Sequence, residues 1–314
     1  MKKVLLFLMI IVAFNCKATN DTDKITNDEM NSIVSFLASD ELQGRDTGSQ
    51  GIEIAAKYIE DYFKTIGVKP YYETYRDPYK VKEIDAFNVI GVLEGKDPVL
   101  KNEVVILGAH FDHIGYRVKP FEGDSIGNGA NDDASGTATV MALAKRMAKL
   151  KNNKRTIMFA LYSGEEMGLL GSKHLAERLK SENCNLYTML NFEMLGVPFT
   201  DNRGYDVFLT GYELSNMADK INDYVGFSFA GKSDVAVKYN LFKRSDNYAF
   251  YNAFNLPCQT ISSCDLTNYD FYHHADDEAD KLDYEHMAKV VNAVVPAIEG
   301  IANSETKEIQ MNEE

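Results

Sequence analysis

Positive charge is scarce in this 314-residue sequence. Thirty-three Lys and Arg stand against 47 Asp and Glu, giving a formal net charge of −14. Phosphate backbones are held by clustered cations, so no nucleic-acid partner is expected, and the acidity reads as a solvated surface. Cysteine is also sparse: four residues, Cys16, Cys184, Cys258 and Cys264, too few for a disulfide scaffold. Cys258 and Cys264 either bridge through a turn at Ser262–Ser263 or remain buried thiols, and an odd number beyond Cys16 leaves at least one thiol unpaired. There is no Pro- or Gly-rich linker, internal repeat or low-complexity stretch, which argues for one domain over residues 25–304. A polar segment at 303–314 is expected to fray. The composition, 45% apolar and 25% charged, is that of a globular chain with a substantial core.

Long apolar runs are missing beyond the N-terminus. Lys2 and Lys3 precede an apolar stretch at 4–14 that is too short to span a bilayer. This is the pattern of a secretory signal. Cys16 follows it and is similar to the lipid-attachment residue of bacterial lipoproteins. The expected order is a signal at 1–16, a tether at 17–24, the domain, then a polar tail at 305–314. The expected location is exported: periplasmic, anchored at the outer membrane through Cys16, or secreted. Membrane contact is expected only through that anchor.

The rest of the chain alternates two periodicities. Helical spacing runs through 27–38 and 48–66, where Gly67 supplies the stop. Residues 71–93 read as paired strands. Then come apolar strands at 103–108, 156–162 and 186–192, interleaved with helices at 135–150 and 169–179. A strand near 206–210, a helix from Glu213, a strand at 256–261 and a helix at 284–301 complete the pattern. Strands alternating with helices imply an α/β fold with a largely parallel sheet covered on both faces.

Chemistry-bearing residues cluster just beyond the buried strands. His110 and Asp112 follow the first, Glu165 and Glu166 the second, and Glu193 the third. Ligand sites in open α/β sheets lie beyond the carboxyl ends of the strands. The segment NDDASG adds Asp132 and Asp133, and DFYHHADD adds His273 and His274. Such a mixture of imidazole and carboxylate suits zinc and paired metals. Asp112, two residues from His110, is placed to orient that imidazole through its other ring nitrogen. His113 reads as a packing or outer residue, His174 and His286 as surface residues, and Asp246 as a helix cap.

In these motifs the chain resembles the MH-clan zinc peptidases: two-zinc leucyl aminopeptidases, glutamate carboxypeptidase and glutaminyl cyclases. The resemblance runs in family order through LASDELQGRDTGSQG (37–51), NVIGVLEG (88–95), GAHFDHIG (108–115), GANDDASG (129–136), SGEEMGLLGS (163–172), NFEMLG (191–196), SDNYAFYNAFNLP (245–257) and YHHADDEADKLD (272–283). It implies a single α/β domain with a mixed, mostly parallel twisted sheet between helical layers, two zinc ions and peptide substrates. On the matching positions, His110 and Glu193 would complete the shell of one zinc, Asp132 would bridge both, and Glu166 and His273 would hold the other. His273 is preferred to His274 because the family pattern is Tyr-His with an acid four residues on, here Asp277. Glu193 stands where the family usually has Asp. Glu165 would be the general base for a metal-bridging water, with Asp112 as its catalytic companion. The implied activity is an aminopeptidase acting on N-terminal peptide bonds. The alternatives are a one-zinc glutaminyl cyclase and a non-catalytic binding ectodomain.

Overall fold

The computed structural model describes residues 24–313; the signal and Cys16 therefore lie outside the described residues. Helix α1 (Asn27–Leu37) begins at Thr26, whose hydroxyl accepts the Glu29 N–H. Helix α2 (Gln50–Ile66) is capped by Ser49 and stopped by Gly67 at φ 77°, a backbone region that glycine enters without strain. Short β1 (Lys69–Pro70) and the hairpin of β2 (Arg76–Val81) and β3 (Ile84–Leu93) follow. Next come β4 (Glu103–His110), α3 (Ser135–Leu150), β5 (Thr156–Tyr162), α4 (Leu170–Ser181) and β6 (Asn185–Phe192). The C-terminal part contains β7 (Val207–Leu209), α5 (Met217–Val225), β8 (Ala230–Gly231), α6 (Asp234–Lys238), α7 (Asn247–Phe254), β9 (Cys258–Ser262) and α8 (Tyr284–Asn303).

The strands form one nine-stranded sheet in the order β1-β3-β5-β4-β6-β9-β7-β8, with β2 also on β3. Its centre is parallel, β5 with β4, β4 with β6 and β6 with β9. The β1, β2 and β3 side and the β7–β9 pair run antiparallel. The sheet is thus mixed, with the parallel part where helices cross over.

Side chains alternate across a strand, and here both faces are buried. Val105, Leu107 and Ala109 of β4 join the core under α1, α2, α3 and α8, while Val104 and Ile106 join the core under α4 and α7. That two-sided burial explains why these strands read as continuous apolar runs.

Three details differ from the sequence reading, and one alternative that it left open is decided. The helix expected from Glu213 starts at Met217, after a single tight turn at Tyr212–Leu214. The short α6 and α7 carry too few turns to show a clear period. Cys258 and Cys264 are buried free thiols. The C-terminal tail is docked rather than frayed: Ile309 is buried, its N–H donates to the Tyr187 hydroxyl at 2.9 Å, and Met311 pairs with Ser215. Ile309 and Met311 are the two apolar residues of an otherwise polar tail, too few for its composition to show the docking.

Candidate active site

The strand ends converge as the pattern implied. β4 ends at His110, Glu165 and Glu166 follow β5, and Glu193 follows β6. Asp132 comes from the turn before α3, a segment that begins at Gly129 with φ 60° and contains a cis Asp132–Asp133 peptide bond. His273 comes from the loop after β9.

Asp132 stands at the centre. Its Oδ1 lies 3.2 Å from His110 Nε2, and its Oδ2 lies 3.2 Å from His273 Nε2. His273 Nε2 is also 3.1 Å from Glu166 Oε1. Two compact donor groups result: His110, Asp132 and Glu193, and His113, Asp132 and Glu166. They share Asp132, one oxygen for each side. Of the adjacent acids, Asp133 does different work: its Oδ1 accepts the N–H groups of Gly136 and Met194, both at 3.0 Å. That ties the start of α3 to the residue after Glu193.

The donors fit a cation pair. His110 Nε2, Asp132 Oδ2, Glu166 Oε1 and Glu193 Oε2 are buried atoms with no hydrogen-bond partner. Several orphaned ligand-type atoms facing one another would be costly without a positive charge among them. His110 Nδ1 faces the Asp112 backbone carbonyl at 3.1 Å, which leaves Nε2 as the free lone pair.

That contact corrects the expected role of Asp112. Its carboxylate is 3.8 Å from His110 Nδ1. It accepts instead from the Thr47 hydroxyl at 3.1 Å and the Glu165 N–H at 3.2 Å. The backbone carbonyl, not the carboxylate, is the nearer group to the ring. Asp112 therefore anchors the Glu165 backbone, and burial pushes its carboxyl up to about 6.

The electrostatics are those of crowded acids. Burial pushes Glu165 well above the usual carboxylate range; Asp246, Glu193 and Glu166 add to the rise and His110 opposes it. Burial likewise lifts Glu193 to about 7. Burial also acts to lower His110, but it is outweighed by Glu165 and Asp132, so the imidazole is held well above its ordinary value.

His274, the rival of His273, points elsewhere: its Nδ1 accepts the Asp276 N–H at 3.0 Å, and its ring packs near Phe121. Asp277 holds the central loop. Its carboxylate accepts the N–H groups of Asn131 and Asp132, at 2.7 and 3.1 Å, and the Tyr269 hydroxyl at 2.6 Å.

Two residues stand closer to the site than the sequence reading had them, and a third was not singled out by it. His113 is fully buried inside the second donor group. Asp246 stands at the start of α7 without capping it; both carboxylate oxygens are buried without partners, and burial lifts it to about 7. Arg45 is buried beneath the site, donating to the carbonyls of Phe111 (2.8 Å), Asn128 (2.7 Å), Gly129 (2.9 Å) and Leu37. His286, expected on the surface, is buried, with Nε2 3.0 Å from Ser263 Oγ. His174 is half-buried, its ring stacked on Tyr79.

A cleft of about 420 Å³, open mouth included, runs from Glu193 and Tyr272. Met194, Phe208, Leu241 and Leu266 line it, with Arg244 also in the wall.

With this geometry in place, the comparisons with known proteins are specific. Residues 88–298 match the model of peptidase family M28, and the chain belongs to that family. A probable zinc metalloprotease of Pyrenophora teres f. teres is 33% identical over 189 residues, which cover 56% of this chain and 37% of that protein. A probable leucine aminopeptidase of Trichophyton verrucosum is 28% identical over 85% of this chain and 68% of its own length. The chain thus spans little more than a third of the metalloprotease and about two thirds of the aminopeptidase. Among solved structures, the LapA aminopeptidase of Legionella pneumophila superposes with a TM-score of 0.67 at 22% identity, over 90% of this chain and 73% of that one. A glutaminyl cyclase of Fimbriiglobus ruber gives 0.67 at 20% identity, over 87% and 94%. Both share the fold.

Proposed function

We propose that this chain is a zinc-dependent exopeptidase with two metal ions, an aminopeptidase that removes residues from peptide N-termini. The observation that carries the reading is the pair of donor groups sharing Asp132, with Glu165 beside Glu166 and free of a ligand role. His110, Asp132 and Glu193 would hold one zinc; Asp132, Glu166 and His273 the other. When bound, the metals make a water more acidic and supply positive charge for the oxyanion of the attacked carbonyl.

The chain's own residues do the rest. Glu165, raised by burial and by its acidic neighbours, takes the proton of the attacking water and returns it to the leaving amine. Asp112 holds the Glu165 backbone N–H and so sets where that carboxylate starts. The surplus of carboxylates around the donor groups, at the Glu193 end of the cleft, favours a substrate ammonium group, which a free peptide N-terminus provides. The side chain of the first residue enters the cleft between Met194, Phe208 and Leu241. Cys16 is proposed as the point of lipid attachment of an exported chain, a reading supported by the signal-like segment before it.

Glutaminyl cyclase action is the second reading, favoured by the shared fold. The experiment is a panel of unblocked aminoacyl substrates run beside N-acetylated ones, C-terminal-glutamate peptides and N-terminal glutamine peptides. Hydrolysis confined to unblocked substrates is the expected result. Cyclisation alone, or cleavage at blocked peptides, would overturn the proposal.

A further inference from the structure

We propose that Thr47 is a positioning residue for the general base: its hydroxyl closes a hydrogen-bonded ring with Asp112 that fixes the backbone carrying Glu165. The inference rests on the reading of Glu165 as the base given above. Thr47 belongs to the motif LASDELQGRDTGSQG, which contains none of the proposed metal ligands.

The turn that carries the base is held by side chains. β5 ends at Tyr162, and the next three N–H groups all donate to side chains. Ser163 N–H goes to Asn88 Oδ1 at 3.3 Å, Gly164 N–H to Thr47 Oγ1 at 2.9 Å and Glu165 N–H to Asp112 Oδ1 at 3.2 Å. Buried N–H groups need partners, and here three distant segments supply them. The position of the turn therefore depends on those side chains.

Thr47 and Asp112 act together. The Thr47 hydroxyl accepts the Gly164 N–H and gives its own proton to Asp112 Oδ2 at 3.1 Å. The carboxylate takes the Glu165 N–H on its other oxygen. Two consecutive amides are thus clamped through one hydroxyl and one carboxylate, both on buried residues. A hydroxyl can accept and donate at once, and an aliphatic side chain can do neither. The segment around Thr47 is itself fixed. Arg45 donates to the carbonyl of Phe111, next to Asp112, at 2.8 Å. Asp46 accepts from Arg117 at 3.0 Å, and Ser49 caps α2 by accepting the Ile52 N–H at 3.3 Å. A Cβ on Gly48 would lie 2.5 Å from Ile84 Cγ2, so the bare backbone there lies against the start of β3.

Neither partner of the hydroxyl is a proposed metal ligand. Its loss should therefore move the base and spare the metals. A misplacement of ~1 Å can cost ~10²-fold in rate. The competing role for Thr47 is structural alone, a buried hydroxyl that satisfies two groups and adds stability without affecting turnover. An effect relayed through His110, whose Nδ1 faces the Asp112 carbonyl, would appear instead as loss of metal.

Zinc-loaded wild type is compared with Thr47→Val and Thr47→Ser at a temperature where circular dichroism shows all three folded. On an unblocked aminoacyl anilide, Thr47→Val is expected to lose ~10–100-fold in kcat, with KM within about twofold and zinc content unchanged by elemental analysis. Thr47→Ser, which keeps the hydroxyl, should recover most of the turnover. Added to Glu165→Gln, Thr47→Val should cost nothing further, because residues acting through one group are not additive. Amide exchange followed by NMR without substrate should be slow at Gly164 and Glu165 in the wild type and faster in Thr47→Val. Wild-type kcat in Thr47→Val, loss of zinc from it, or the same fold-loss in the Glu165→Gln background would overturn the assignment of Thr47 while leaving the peptidase reading intact. No hydrolysis by the zinc-loaded wild type, or full activity in Glu165→Gln, would overturn the underlying reading and the assignment with it. Fast exchange of both amides in the wild type would overturn the ring without any variant having to fold.

Discussion

Replacing Arg45 by Met tests how the site is held from below. The guanidinium is fully buried and donates to four backbone carbonyls, those of Leu37, Phe111, Asn128 and Gly129. Burial pushes its pKa down to about 10, with Asp277 and Asp112 partly restoring it. Methionine fills much of the volume but donates nothing. A buried acceptor left alone costs ~1–3 kcal/mol. At the low end, because loop carbonyls can recruit water, four acceptors come to about 4 kcal/mol. Native stabilities are ~5–15 kcal/mol, so the loss is a large share, and at ~2–4 °C per kcal/mol for a large domain it lowers Tm by roughly 10 °C. The carbonyls at Asn128 and Gly129 lead into the Asp132 segment, so metal affinity should fall as well. The assay is urea and thermal unfolding with chelator present, which removes metal binding from the comparison, followed by zinc titration of the folded variant. A loss under about 1 kcal/mol, with unchanged zinc affinity, would refute the account of Arg45 as the support of this loop.

Other expectations follow from the same geometry. Glu165→Gln should lower turnover by ~10²–10⁴-fold with metal content unchanged by elemental analysis, whereas loss of metal would make Glu165 a ligand. His274→Ala should leave metal content intact, since its Nδ1 serves the Asp276 backbone. Gly136→Ala should impair folding and activity together, measured by circular dichroism and turnover, because its Cβ would lie 2.2 Å from the Phe192 carbonyl and 2.4 Å from Asp133 Oδ2. Metal-free protein should become less stable as pH rises from 5 to 8. Asp112, Asp246 and Glu193 have folded-state values raised to about 6, 7 and 7. Their contribution is therefore fully present below the unfolded values near 4 and lost as pH passes through 6–7. His273, raised to about 10 by its Asp132 and Glu166 contacts against burial, adds a loss in the same direction above its unfolded value near 6.5. Urea midpoints across that range with chelator check the trend, and saturating zinc should flatten or reverse it.

Much of the fold and the donor set was legible because both follow from periodicity. A strand buried on both faces reads as an unbroken apolar run, and the residue just past it sits at the ligand edge of the sheet; His110, Glu165, Glu166 and Glu193 were found that way. The remainder depended on contacts that no local pattern encodes. Asp112 looked like a partner for the His110 ring from its two-residue spacing, yet its backbone carbonyl, not its carboxylate, is the nearer group to the ring. His113 sat in the same short motif and resembled packing, because nothing in HFDHIG shows that its ring lies against the bare Gly129 backbone. Asp246 had the position of a cap, but its side chain turns inward toward the acids. Arg45 lay in QGRDTGSQG, whose meaning appears only when three distant carbonyls close around it. Ile309 and Met311 are the two apolar residues of a polar tail, too few to register as a pattern.

The central claim is a two-metal hydrolase acting at free N-termini. It is tested most directly by titrating zinc into metal-free protein while following hydrolysis of an unblocked aminoacyl anilide, with the N-acetylated compound as control. The account predicts activity that rises to a plateau at two zinc ions per chain, with the acetylated compound untouched. Full activity at one zinc per chain, or cyclisation of N-terminal glutamine with no hydrolysis, would contradict it.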